Sequence, residues 1–145
     1  MGILDAASSP EEGPVIVTIT GDSGIGKTTL AATFEKPIFM RAENGMQAVR
    51  HMKGVKALPV IEKVEQVWEQ LMALLTDEHD YKTLVIDSVT ALDRMFTEHI
   101  IDTDPKNPKS LNQAAGGYGA GKGVLASMHS RIRKAAGLLQ SRRGR

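Results

Sequence analysis

The octapeptide Gly21-Asp22-Ser23-Gly24-Ile25-Gly26-Lys27-Thr28 is the stretch of this chain whose residue types and spacing best suit chemistry. It matches G-x-x-x-x-G-K-[ST], a loop that wraps a phosphate chain in backbone N–H groups. Glycines at 21, 24 and 26 leave no Cβ to block that approach. Lys27 offers a point charge to the β- and γ-phosphates, and Thr28 offers a hydroxyl to Mg²⁺. The helix that opens near Gly26 and runs on through Thr29 turns its positive dipole end toward the anion. The expected ligands are therefore ATP and Mg²⁺, held by Gly21 to Thr29.

A magnesium-nucleotide site also needs a carboxylate at the end of a neighbouring strand. Leu84-Val85-Ile86-Asp87 supplies an apolar run ending in an acid, the Walker B pattern, about 60 residues after Lys27. Hydrolysis needs a further group to orient or deprotonate the attacking water. Glu43, just past an apolar segment, would stand at the carboxyl edge of a sheet, where ligands bind. By spacing alone it reads equally well as a surface turn.

The elements that must position these groups follow from the pattern of the chain. Met1 to Gly13 is polar, broken by Pro10 and Gly13, and reads as a loose arm ahead of a core over residues 14–145. Val15 to Thr20 reads as the first strand, and the helix after the loop ends by Glu35 because Pro37 forbids continuation. Pro37 to Met40 reads as the second strand. Met46, Val49 and Met52 form a short helical stripe. Lys56 to Ile61 is a weaker third strand whose Pro59 suits an edge. Val64, Val67, Trp68, Leu71, Leu74 and Leu75 recur at helical spacing, with Trp68 expected in the core. Tyr81 to Ser88 is a buried fourth strand, followed by a helix through Leu92, Met95, Phe96 and Ile100. A last helix carries Val124, Leu125, Met128, Ile132 and Leu139 inward. Strands alternating with helices call for an α/β fold with a mainly parallel sheet covered on both faces.

Composition narrows the function classes. The 145 residues are 41% hydrophobic and 24% charged, as expected of one soluble globular domain. No run of eighteen apolar residues suggests a membrane span, and no charged-then-apolar leader opens the chain. The absence of cysteine removes disulfides and thiolate metal sites, and a reducing cytoplasm fits. Net charge is +1, yet seven of the 18 bases and none of the 17 acids lie from Lys122 onward, leaving −6 over residues 1–121. That basic end reads more readily as a solvated helical face, with cations near a helix C-terminus, than as a nucleic-acid surface. Gly116 to Gly123 mimics a second phosphate loop, but Gly123 stands where Ser or Thr is needed and no strand precedes it, so it reads as a mobile loop. His51, His79, His99 and His129 show no ligand spacing.

Ile38-Phe39-Met40-Arg41-Ala42-Glu43, followed by Leu84-Val85-Ile86-Asp87-Ser88-Val89-Thr90-Ala91-Leu92, resembles the RecA recombinase superfamily, and most of all the short RecA-like ATPases of bacteriophages linked to single-strand annealing and recombination. The resemblance implies a three-layer α/β/α P-loop core with Glu43 as the catalytic carboxylate, Lys27 as the phosphate clamp, and Thr28 and Asp87 as magnesium holders. It also implies a cytoplasmic ATPase acting on DNA, with single-stranded DNA as a partner and homo-oligomers in the full-length protein. The alternative is a catalytically impaired nucleotide-binding or assembly module. By the same resemblance the sheet order is 3-2-4-5-1, and this sequence lacks the fifth strand, so the core is expected to be incomplete at its C-terminus. Arg41 departs from the family's acidic or polar residue and carries no expected role.

Overall fold

Phe39 and Met40 have no measurable solvent exposure, and the sheet is built around them. In this computed structural model, which describes residues 2–10 and 15–142, β1 (Pro37–Arg41) is flanked by β2 (Lys56–Ala57) and β3 (Thr83–Asp87) in a 3-stranded sheet of order β2-β1-β3. Both pairings are parallel, with Phe39 opposite Val85, Met40 opposite Ile86 and Arg41 opposite Asp87. Three bonds fix the entry to this ladder. Lys82 N–H donates to the Lys36 carbonyl, Thr83 Oγ1 donates to the Glu35 carbonyl, and Lys36 Nζ meets Asp80 at 2.7 Å.

The period of two along a strand sorts the side chains into two cores. Phe39, with Val85 packed against it, faces α1 (Lys27–Ala32), where Ala31 and Ala32 are buried with Val49. Met40, with Leu84 and Ile86, faces the opposite layer. That layer is α2 (Val64–Thr76), α3 (Val89–Asp102) and α4 (Ala120–Ser141), which contribute Val67, Leu71, Leu92, Phe96 and Ile132. The protein is thus α/β with helices on both faces of a parallel sheet.

The helix ends are legible as chemistry. Gln66 Oε1 accepts from the N–H groups of Glu62 (2.7 Å) and Lys63 (2.9 Å), satisfying donors at the start of α2. Ser88 Oγ accepts from Ala91 N–H at 3.1 Å and caps α3. Arg142 donates to the carbonyls of Leu74 (2.7 Å) and Asp77 (2.6 Å), so a tail cation serves the C-terminus of α2 rather than its own helix. The helix α4 begins at Ala120, inside the glycine-rich stretch expected to be loop. Gly121 is required there, because a Cβ would collide with the Leu111 carbonyl.

Several expected boundaries shift. The third strand closes at Ala57, since Pro59 has no N–H to extend the ladder. The stripe at Met46 is a single 3-10 turn, Met46–Ala48. The arm carries one exposed 3-10 turn, Ile3–Ala6, while Met1 and residues 11–14 lie outside the described set.

The largest correction concerns the first strand. Val15 to Thr20 joins no ladder, and Val15, Ile16 and Val17 are 80%, 56% and 59% exposed. Its physical cause is the absence of a neighbour: among the described residues no strand lies on the outer edge of β3. A slot of about 220 Å³ sits there, walled by Ile16 on one side and Ile86, Val89, Leu92, Ile132 and Ala136 on the other. The remainder of the expected order, third-second-fourth, is the observed β2-β1-β3.

Phe96 is fully buried and stacks on Trp68 with ring centroids 5.7 Å apart. Replacing it by alanine is expected to cost about 3–5 kcal/mol, a large share of the roughly 5–15 kcal/mol that holds a domain together. Chemical denaturation checks this, and a loss below about 1 kcal/mol would show that the helical layer is not anchored there.

Candidate functional site

The loop after Thr20 takes backbone conformations that only glycine adopts readily. Gly24 and Gly26 have φ of 79° and 100°, and neither would meet any atom within 4 Å if it carried a Cβ. Glycine is therefore needed here for conformation, not for room. Gly26 is the N-cap of α1, and Leu30 N–H donates to its carbonyl at 2.9 Å. Lys27 opens the helix and folds its ammonium back over the loop, donating to the carbonyls of Gly21 (2.6 Å) and Asp22 (2.7 Å). Asp22, Ser23, Ile25 and Thr29 are exposed along the rim.

One contact ties this loop to the sheet. Thr28 Oγ1 donates to Asp87 Oδ2 at 2.8 Å across 59 residues of sequence, in a partly buried position. The strand order makes this possible: β3 ends at Asp87, on the same pleat face as Phe39 and Val85, and so toward α1. A hydroxyl and a carboxylate oxygen held side by side are hard donors, and they fit an ion such as Mg²⁺, which takes one or two protein oxygens and keeps its remaining positions for water and phosphate.

Glu43 lies on the turn that leaves β1 at this same edge. Ala42 N–H donates to the Asp87 carbonyl at 3.0 Å, and a Cβ on Gly45 would lie 3.8 Å from Asp87 Oδ2. The Glu43–Gly45 turn therefore arches beside the Asp87 carboxylate, with Glu43 itself exposed. Lys27, Thr28, Asp87 and the turn bearing Glu43 thus gather at one rim of the sheet.

Sequence reasoning gave Arg41 no role, and the fold supplies a structural one. Its Nε donates to the Leu58 carbonyl at 3.0 Å, while its own carbonyl accepts from Ile61 N–H at 2.9 Å. Arg41 thus staples the tail of β2 to the end of β1 just before Glu43. The signal was Pro59: a proline in that tail removes a ladder donor, and a side-chain donor from the next strand fastens the segment instead.

Residues 14–138 match the AAA domain family AAA_24. The chain belongs to that family. The family is one of AAA-type, P-loop ATPase-like domains and is not specific to RecA recombinases. A relative, the SPbeta prophage-derived uncharacterized protein YorG of Bacillus subtilis (strain 168), is 28% identical over 127 residues, which cover 85% of this chain and 38% of the relative. The chain therefore spans well under half of that relative's length. No solved structure matches the chain. Among the described residues no helix is long and apolar enough to cross a membrane.

Proposed function

We propose that this AAA domain binds ATP with Mg²⁺ along Gly21 to Thr29 and hydrolyses it, as a RecA-like core in DNA recombination or single-strand annealing within a bacterial or phage-infected cytoplasm. The observation that carries the chemistry is the Thr28–Asp87 bond, which joins the phosphate loop to the end of the Walker B strand. On this reading the Lys27 ammonium leaves the Gly21 and Asp22 carbonyls for the β- and γ-phosphate oxygens, an exchange of neutral acceptors for charged ones. Thr28 and Asp87 would hold Mg²⁺, which when bound neutralises charge on the β- and γ-phosphates. Glu43 accepts a hydrogen bond from the attacking water and orients it. Likeness to a prophage-derived protein supports the phage setting. Single-stranded DNA and further copies of the protein are the proposed partners.

A second reading, an impaired nucleotide-binding or assembly module, is favoured by one observation: Val15 to Thr20, which leads into the loop, has no strand beside it. The first reading carries the further proposal that one more strand, between Val15–Thr20 and β3, completes the core; on the second that strand is not supplied. Without it the isolated chain binds ATP weakly and turns it over at less than about 1 per second, the low end for enzymes.

Nucleotide binding is the common test. A fluorescent ATP analogue should bind in the presence of Mg²⁺, and Lys27→Ala should weaken it about 10- to 100-fold, since a hydrogen bond to a charged group contributes about 1.5–3 kcal/mol. Affinity unchanged within threefold would remove the loop from the reading. Turnover stimulated by single-stranded DNA, falling as salt rises, separates the recombination ATPase from the impaired module.

A further inference from the structure

A second recess lies in the α2, α3 and α4 layer and shares no residue with the phosphate loop. It is a groove of about 830 Å³ between α2, α3, α4 and the loop over residues 103–116. Its walls are mostly apolar, from Val64, Trp68, Ile100, Val124 and Met128. The volume falls in the range of small-molecule sites, roughly 300–1,000 Å³, where a few polar groups on an apolar wall fix the ligand.

The charges on this groove are of unequal availability. Arg131 lies over the Trp68 ring, its guanidinium carbon 4.2 Å from the ring centroid, and Trp68 is itself stacked on the buried Phe96. Arg131 is exposed, and a guanidinium over an aromatic ring is attracted by the ring face while its N–H groups can still reach a carboxylate or phosphate. Lys106 adds a second cation from the opposing loop. The acid on the wall, Asp104, is already engaged: Oδ1 accepts from Lys106 N–H at 2.9 Å and Oδ2 from Ala115 N–H at 2.7 Å. Those two backbone donors, Lys106 first, hold its carboxyl below the usual carboxylate range. The groove thus pairs an apolar wall with two cations and a carboxylate occupied by the loop.

We propose that this groove is a binding site for a small amphipathic anion, with its apolar body against Ile100, Val124 and Met128 and its carboxylate or phosphate head on Arg131 and Lys106. Trp68 is the sole tryptophan of the chain and forms part of the wall, so its emission reports occupancy directly. The probe is anilinonaphthalene sulfonate, an aryl anion that accepts energy from tryptophan, compared with uncharged N-phenylnaphthylamine. The sulfonate is expected to bind at least about tenfold tighter than the neutral probe, with Trp68 emission quenched in step. Arg131→Met keeps an apolar group over the indole and is expected to erase that difference, while Arg133→Met, which borders the slot beside β3 instead, leaves it intact. Octanoate and octyl phosphate then compete for the site, and displacement by either supports the proposal and identifies the head group. Equal affinity for the two probes, equal loss in Arg131→Met and Arg133→Met, or failure of both competitors would overturn it. Should Arg131→Met not fold, Lys106→Met, on a loop and far less exposed to folding defects, is expected to narrow the gap between the probes, and a gap left unchanged there would equally overturn the site.

Discussion

Replacing Glu43 by glutamine is expected to slow ATP turnover by about 10²- to 10⁴-fold, the usual contribution of a positioned acid–base group, while nucleotide affinity stays within about twofold. The separation follows from where Glu43 stands. It is exposed on the turn after β1, and it makes none of the contacts that shape the phosphate loop, which Lys27 and Thr28 make with Gly21, Asp22 and Asp87. Glutamine preserves size and can still donate or accept a hydrogen bond, but it cannot carry the charge that draws a proton from water. Single-turnover hydrolysis of radiolabelled ATP, with protein in excess, reads the chemical step even when the wild-type rate is low. An unchanged rate would return Glu43 to the role of a surface turn residue. A fall in affinity equal to the fall in rate would instead make it part of the binding surface.

Much of this site could be read from the sequence because its parts are local. The phosphate loop is a contiguous stretch, and the conformations at Gly24 and Gly26 follow from steric rules on single residues. Asp87 was legible as the end of an apolar run, and its meeting with Thr28 needed only the two faces of a strand to be sorted. The helical stripe Val64 to Leu74 was equally clear, as was Trp68 in the helical core. What escaped depended on distant partners. Arg142 finds the C-terminus of α2, 68 residues before it in the chain, and no periodicity in the last helix announces that. The start of α4 within a glycine-rich stretch rests on the close approach of the Leu111 backbone, a tertiary constraint that turns an expected loop into a helix.

The first strand illustrates the limit most sharply. Val15-Ile16-Val17-Thr18-Ile19-Thr20 has every local mark of a strand: β-branched residues throughout and a glycine turn at its end. Yet a strand is defined by its neighbours, and the propensity of such a run expresses packing on a pleated surface more than any intrinsic backbone preference. Here Ile19 still packs against the core beneath α1, but Val15, Ile16 and Val17 face solvent. The loop is consequently anchored from its far side, through Thr28 to Asp87, and not from the segment that leads into it.

That asymmetry gives a prediction of large effect in amide hydrogen exchange. The β1 amides from Ile38 to Met40 lie in a ladder flanked on both sides and buried above and below. They should exchange only when the domain unfolds, so protection by about 10³-fold or more is expected for a stable domain. The amides of Val15 to Thr20, with no ladder partner and mostly exposed side chains, should exchange close to the rate of an unstructured chain. The outer edge of β3 should fall between the two, since its residues are half-buried and only one side is paired. A supplied strand that fills the slot beside Ile16 and Ile86 would raise protection in Val15–Thr20 and β3 together, because each becomes the neighbour the other lacks. Protection of Val15–Thr20 equal to that of β1 in the isolated chain would contradict the unpaired edge, and with it the expectation that this chain alone is a weak ATPase. Slow exchange there would mean that Val15–Thr20 pairs directly with the outer edge of β3, about one strand spacing of roughly 5 Å away, and no further strand would then be needed between them.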